Sequence, residues 1–291
     1  MLKFFAGWLL SAAVATAFAA PALTEVHGVK VATQMASQAP LLSSHSVLVM
    51  NSQTGEPLYE KNAHQRLPIA SITKLMTAMV VLDADLDLNE AVTISDAEID
   101  RLKNTHSRLA IGTTLTRREL LLLALMSSEN RAAAALARSY PGGTDAFVAR
   151  MNRKARALGM RDTVFYDATG LNVRNSATAA DLALMVKAAN GYPLIRQYST
   201  AQHHAVYSGA NRLLQYKNSN ALVREGEWDI GLQKTGYIQE AGRCLVMHAT
   251  VGAQPLVIVL LAAGNPAARI NDAKAIRHWL ESQPGHWLAA G

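Results

Sequence analysis

Cysteine is nearly absent from this 291-residue chain: the single thiol, Cys244, excludes an internal disulfide framework and a cysteine-based zinc cluster. Charged residues make up only 17% and aromatic residues 6%, against 50% hydrophobic, which excludes a disordered tail or a coiled coil. No His is followed by Glu, so the HExxH zinc site is missing, as are a GxGxxG turn and the Gly-Lys pair of a phosphate-binding loop. His203-His204 is the sole His pair. Adjacent residues do not share a helix or strand face, so two surface or partly buried imidazoles are the plainer reading than a metal site. No metal and no cofactor is expected.

What is present begins with a leader. Lys3 is the only charge before Glu25, and Phe4 to Ala20 is apolar or small throughout. Ala17-Phe18-Ala19 and Ala20-Pro21-Ala22 both have the small-x-small form of a secretory cleavage site. Residues 1–22 are therefore read as a signal peptide, in preference to an uncleaved anchor helix, because the segment is Ala-rich and ends in small residues. Loss of Lys3 lowers the formal charge from +6 to +5, with 27 Lys+Arg left against 22 Asp+Glu. A basic exported protein suits an anionic partner, and export removes nucleic acid from consideration.

Residues 23–44 show no sustained period and read as a loose leader. Val47 to Met50 and Pro57 to Glu60 read as two strands around the turn Asn51 to Gly55. Ile72, Leu75, Met76, Met79 and Val80 then fall at helical spacing. Thr116 with Glu119 is a capping box before the run Leu120 to Met126. Thr144 opens a helix that Gly159 can end, and Thr178 with Asp181 opens another ending near Gly191. Strands return at Ile230 to Ile238, Cys244 to Thr250 and Leu256 to Ala262, with a closing helix from about Asp272 to Ser282. Two strands at the front and three at the back predict a five-stranded antiparallel sheet covered by helices, with a helical insert over about 80–200. The catalytic domain is placed at 45–291.

Three short motifs carry the chemistry. In Ser71-Ile72-Thr73-Lys74, positions i and i+3 share a helix face, so Ser71 Oγ and Lys74 Nζ can meet. A Lys is a general base only when burial or a nearby cation brings its pKa down from roughly 10.4 toward neutrality. Alone, the motif is an ordinary N-cap and a surface Lys, since it occurs by chance about once in such a chain. Ser128-Glu129-Asn130 follows the helix ending near Met126, and its plain reading is a polar helix connection. Lys234-Thr235-Gly236 on a strand is the rarer signal, expected by chance in about one chain in ten. A Gly inside a strand marks close approach of a ligand or backbone, and Lys234 brings a second ammonium that attracts a carboxylate and depresses the pKa of Lys74.

In this order the motifs match the parts of the penicillin-recognising serine enzymes. The chain resembles the low-molecular-mass penicillin-binding proteins, the serine D-alanyl-D-alanine peptidases of the bacterial wall, from about Ser46 to the closing helix. Pro68 to Thr77 (PIASITKLMT) carries the resemblance most closely, with Ala168 to Asn172 and Ser176 to Asp181 in support. The resemblance implies an α/β (α+β) fold of the penicillin-binding protein/β-lactamase type, periplasmic residence and at most peripheral membrane association. It implies that Ser71 is the acylated nucleophile, Lys74 its base and Ser128 the proton relay to the leaving amine. Asn130 would position Lys74 and the substrate amide, Lys234 and Thr235 would hold the substrate carboxylate, and Gly236 completes their motif. The N–H groups of Ser71 and Tyr237 would form the oxyanion hole; Tyr237 departs from the His of many relatives. Peptidoglycan stem peptides are the expected substrate and β-lactam antibiotics the expected covalent inhibitors.

Only 55 residues follow Gly236, short for the extra β-rich domain and anchor helix of the exported carboxypeptidases. The shorter endopeptidase branch, which cuts D-alanyl–diaminopimelate crosslinks, is therefore expected. A carboxypeptidase is the first alternative. A class A-like β-lactamase would need a deacylating Glu, and the nearest residue, Asp167 before Leu171-Asn172, is of the wrong type and offset by one. A non-catalytic wall-binding module is opposed by the presence of Ser71, Lys74 and Lys234. Tyr216-Lys217-Asn218 also fits a Tyr-x-Asn variant of the middle motif, but lies so close before Lys234 that it reads as a loop. Arg150, Arg153, Lys154, Arg156 and Arg161 read as a solvated helix face, and Cys244 as buried packing.

Overall fold

The computed structural model describes residues 23–26, 28–32, 39–209 and 212–282, so the expected signal segment lies outside the described residues. Two hairpins come first among the described residues: β1 (Leu23–Val26) with β2 (Val29–Ala32), and β3 (Ser46–Asn51) with β4 (Pro57–Lys61). Short pairs tie the interior together: β5 (Leu67–Pro68) with β8 (Ser176–Ala177), and β6 (Ala91–Thr93) with β7 (Thr114–Thr116). A separate hairpin joins β9 (His203–Ser208) to β10 (Arg212–Lys217). The closing strands are β11 (Asp229–Ile238), β12 (Gly242–Val251) and β13 (Gln254–Ala263). One antiparallel sheet runs β1-β2-β4-β3-β13-β12-β11.

This sheet has seven strands rather than the expected five. The additional hairpin lies in the stretch read as loose leader and joins β4 through Lys30↔Glu60 and Val31↔Tyr59. Val29 and Val31 are buried there while Lys30 is exposed. Four-residue strands are too short for their alternation to rise above a background of Ala, Ser and Thr.

β13 is an interior strand, between β3 and β12, and is apolar on both faces. Leu256, Ile258 and Leu260 belong to one core cluster, and Val257, Val259 and Leu261 to the other. The period of two splits a continuous apolar run between the two cores, as a doubly covered strand requires. On one side lies α8 (Ala268–Glu281), packed on β12 and β13. On the other lies the helical lobe: α1 (Thr73–Asp83), α2 (Arg117–Met126), α3 (Asn130–Arg138), α4 (Gly143–Ala157), α5 (Ala179–Ala189) and α6 (Pro193–Ser199). A short helix, α7 (Ala221–Glu225), precedes β11.

α1 is buried on every side from Thr73 to Val81 and packs against α2 to α6. Most of its positions are apolar, so it suits the centre of the lobe, and its polar Thr73, Lys74 and Thr77 are buried with them. Its N-terminal end meets β11, and that meeting positions the site. The predicted caps form: Thr116 and Glu119 make a reciprocal capping box, while Thr178 accepts from Asp181 N as a simple N-cap. α4 differs, because its cap is Gly142 in a left-handed conformation and not Thr144. Tyr216 and Lys217, read as loop, pair with His204 and His203 in β10. Asn218 is buried beyond them and donates to the carbonyls of Ser199 and Ala201, a structural use of that side chain.

Candidate active site

Ser71 lies in a 3-10 turn, Ala70–Ile72, that leads into α1. Ala70 is held at φ +47°, strained for a residue with a Cβ. Two glycines let the surrounding backbone close on this turn. A Cβ on Gly236 of β11 would lie 3.0 Å from Ile69 O and 3.2 Å from Ser71 N. A Cβ on Gly170 would lie 1.9 Å from Ala70 O, and Gly170 itself sits at φ +83°. The close approach read from Lys234-Thr235-Gly236 is thus an approach of β11 to the Ser71 turn.

Lys74 is fully buried beneath Ser71. Its Nζ makes three hydrogen bonds: 2.8 Å to Ser71 Oγ, 2.8 Å to Asn130 Oδ1 and 2.7 Å to the carbonyl of Thr169. Burial lowers its pKa to about 7, against the opposing pull of the Asp167 and Glu129 carboxylates. A primary amine near neutrality, in contact with a serine hydroxyl, can take that hydroxyl's proton.

The second ammonium belongs to Lys234, also fully buried, whose Nζ donates to Ser128 Oγ at 2.9 Å and to Thr235 O at 2.8 Å. Its pKa falls well below the usual Lys range, first through burial and then through Lys74 and Arg269. Ser128 adopts φ +63° at the end of α2, two residues before Asn130 opens α3. The middle motif therefore places one side chain on each ammonium: Ser128 on Lys234, Asn130 on Lys74. Thr235 shares a 2.7 Å hydrogen bond with Ser219 Oγ. The Tyr237 side chain is exposed, with the Arg243 guanidinium 3.6 Å above its ring.

Several contributors escaped the sequence reading. The Thr169 carbonyl is main chain and has no side-chain signature. Its position depends on Asp167, whose carboxylate accepts from Gly170 N, Asn172 N, Thr169 Oγ1 and Asn175 Nδ2. Asn175, fully buried, also donates to Thr73 Oγ1 and accepts from Tyr166 N. Asp167 is thereby occupied as a loop staple. Arg269 reaches the same region from α8, donating to the carbonyls of Gly236 and Cys244 at 3.1 Å each. Thr105 accepts from Asn130 Nδ2 at 3.2 Å.

A buried serine–lysine pair, a second serine–lysine pair and a glycine-backed β-strand define a serine acyl-transfer enzyme. Residues 33–265 match the family model of peptidase S11, described as D-alanyl-D-alanine carboxypeptidase. A Pseudomonas aeruginosa D-alanyl-D-alanine endopeptidase is 47% identical over 242 residues, covering 83% of this chain and 78% of the relative. An Escherichia coli D-alanyl-D-alanine endopeptidase is 41% identical, covering 87% and 82%. The Streptomyces K15 DD-transpeptidase has a similar solved structure, with a TM-score of 0.77 at 30% identity over 84% of this chain and 99% of that one. The chain belongs to the peptidase S11 family and is a serine DD-peptidase.

Proposed function

We propose that this protein is a D-alanyl-D-alanine endopeptidase that hydrolyses peptide crosslinks of peptidoglycan through an acyl-enzyme on Ser71. The observation that carries the reading is the 2.8 Å contact between Ser71 Oγ and Lys74 Nζ, with the Lys74 pKa brought down to about 7. Neutral Lys74 takes the Ser71 proton as Oγ attacks the D-alanyl carbonyl. The N–H groups of Ser71 and Tyr237 receive the developing oxyanion. Ser128 passes a proton to the leaving amine, and Asn130 keeps Lys74 and the substrate amide in register. Lys234 and Thr235 hold the carboxylate of the leaving residue, with Arg269 adding positive charge behind Gly236. Water then hydrolyses the ester.

Endopeptidase action is favoured over carboxypeptidase action by relatives of that name at 47%, 41% and 37% identity. Relatives named carboxypeptidase stand at 28% to 33%. The protein works in the periplasm after removal of a signal peptide, and acts in wall remodelling and cell shape. Its membrane contact is at most peripheral; among the described residues no helix is long and apolar enough to cross a membrane. β-Lactams acylate Ser71 as substrate mimics. Digestion of purified crosslinked peptidoglycan, with products identified by mass, tests the reading. Dimeric muropeptides are expected to fall to monomers. Trimmed pentapeptides beside intact dimers would establish the carboxypeptidase instead.

A further inference from the structure

Seven ion pairs are formed among the described residues, and Lys103–Glu240 is the one that joins the helical lobe to the sheet. Both ends adjoin the site. Lys103 lies on a loop stapled by Asp100, whose carboxylate accepts from the N–H groups of Leu102, Lys103 and Thr105 and from Thr105 Oγ1. The hydroxyl of Thr105 in turn accepts from Asn130. Glu240 stands in the turn between β11 and β12, three residues beyond Tyr237. Next to the loop lies a cavity of about 260 Å³ lined by Asp100, Arg101, Leu102, Asn130, Thr169 and Leu171. It opens beside the two residues that hold Lys74.

We propose that Lys103 and Glu240 form a latch across the cleft that selects substrate by size: a small β-lactam reaches Ser71 with the latch closed, whereas a wall-linked peptide needs it open. Three features support the assignment. The Asp100 staple holds the Lys103 backbone in place, so only the two side chains have to part. Glu240 is exposed and Lys103 half-buried, so water and salt compete for the pair. Nothing else of opposite charge ties the two rims together among the described residues. The inference rests on the wall-peptidase reading above for the identity of the bulky substrate.

The test compares one bulky and one small substrate on the full-length chain. Lys103→Met, Glu240→Gln and the charge-swapped double variant (Lys103→Glu with Glu240→Lys) are each assayed for product release from intact sacculi and for benzylpenicillin acylation of Ser71. Each single variant is expected to release sacculus product about two- to fivefold faster, the scale of an exposed ion pair. Penicillin acylation stays unchanged, and the double variant returns to the wild-type rate. Raised salt accelerates the wild type on sacculi but leaves the single variants unaffected. An unchanged or slower sacculus rate in the single variants overturns the latch, as does an equal change in penicillin acylation. If the wild type frees only D-alanine from sacculi, the crosslink assignment fails, yet the same variant-to-wild-type ratio still decides the latch.

Discussion

The ammonium of Lys74 is tied to the main-chain carbonyl of Thr169 by a 2.7 Å hydrogen bond. The side chain proposed as base is thus aimed by a backbone group 95 residues away in sequence, as well as by the neighbouring Asn130. The loop presenting that carbonyl is held by Asp167 and Asn175, and closes on the Ser71 turn only because residue 170 is glycine.

The pH dependence of acylation follows from Lys74. Its folded pKa of about 7 lies below the ordinary Lys value, so the base is neutral above pH 7 and protonated below it. The rate of penicilloyl formation should fall about tenfold per pH unit below 7 and level off above it. Stability follows the same linkage. The unfolded chain binds the proton more tightly, so this group's contribution is full above roughly pH 10.4 and is lost as pH falls to about 7. Stopped-flow acylation across pH 5–9 checks the first statement, and an acylation rate independent of pH would remove Lys74 as the base.

Ser71→Ala should abolish labelling by a fluorescent penicillin while leaving the thermal transition within a few degrees of wild type, because the hydroxyl is half-buried and small. Labelling that survives this substitution would place the acylated atom elsewhere.

Gly170→Ala is expected to be among the more damaging single changes outside the motif residues. The new Cβ would sit 1.9 Å from Ala70 O at a φ of +83°. Left-handed backbone alone costs about 1–3 kcal/mol for a residue with a Cβ, before the clash is relieved. Urea unfolding should show a loss at least that large, and acylation should slow because relief of the clash displaces either the Ser71 turn or the Thr169 carbonyl.

Asn175→Ala removes an amide that links Thr73, Tyr166 and Asp167 in the interior. Leaving those partners unsatisfied should cost about 1–3 kcal/mol for each group stranded. The expected kinetic signature is a slower acylation rate with little change in the initial affinity for penicillin, since Asn175 touches the loop rather than the substrate pocket. Equal losses in both would indicate a purely global effect.

Cys244 should resist thiol reagents in the native protein and react at once on denaturation. It is wholly buried on β12, and burial pushes its thiol up to about 11. Titration with a chromogenic disulfide in the presence and absence of guanidinium reads this directly.

The side chains that the fold gathers around Ser71 were legible in the sequence because their spacing is local. Ser71 and Lys74 are spaced to share a helix face, and Ser128 and Asn130 sit at a helix junction where polar caps belong. Strand patterning and N-cap residues likewise placed β3, β4, β11–β13, α2 and α5, since each signal lies within a few residues. The hairpin β1–β2 escaped because its strands are four residues long and are stabilised by pairing of β2 with β4, about 30 residues away. The β9–β10 hairpin escaped through the same dependence on packing.

Residue identity by itself determined which groups could act: one nucleophile, two lysines, their hydrogen-bonding partners and a glycine in a strand. Only the tertiary structure shows what each buried lysine touches. Both are buried and both have lowered pKa values, but the fold sets Lys74 against Ser71, Asn130 and the Thr169 carbonyl and Lys234 against Ser128. Arg269 and Thr169 joined the site by the same route, since desolvation and main-chain contacts arise from packing between distant segments and leave no pattern in the chain itself.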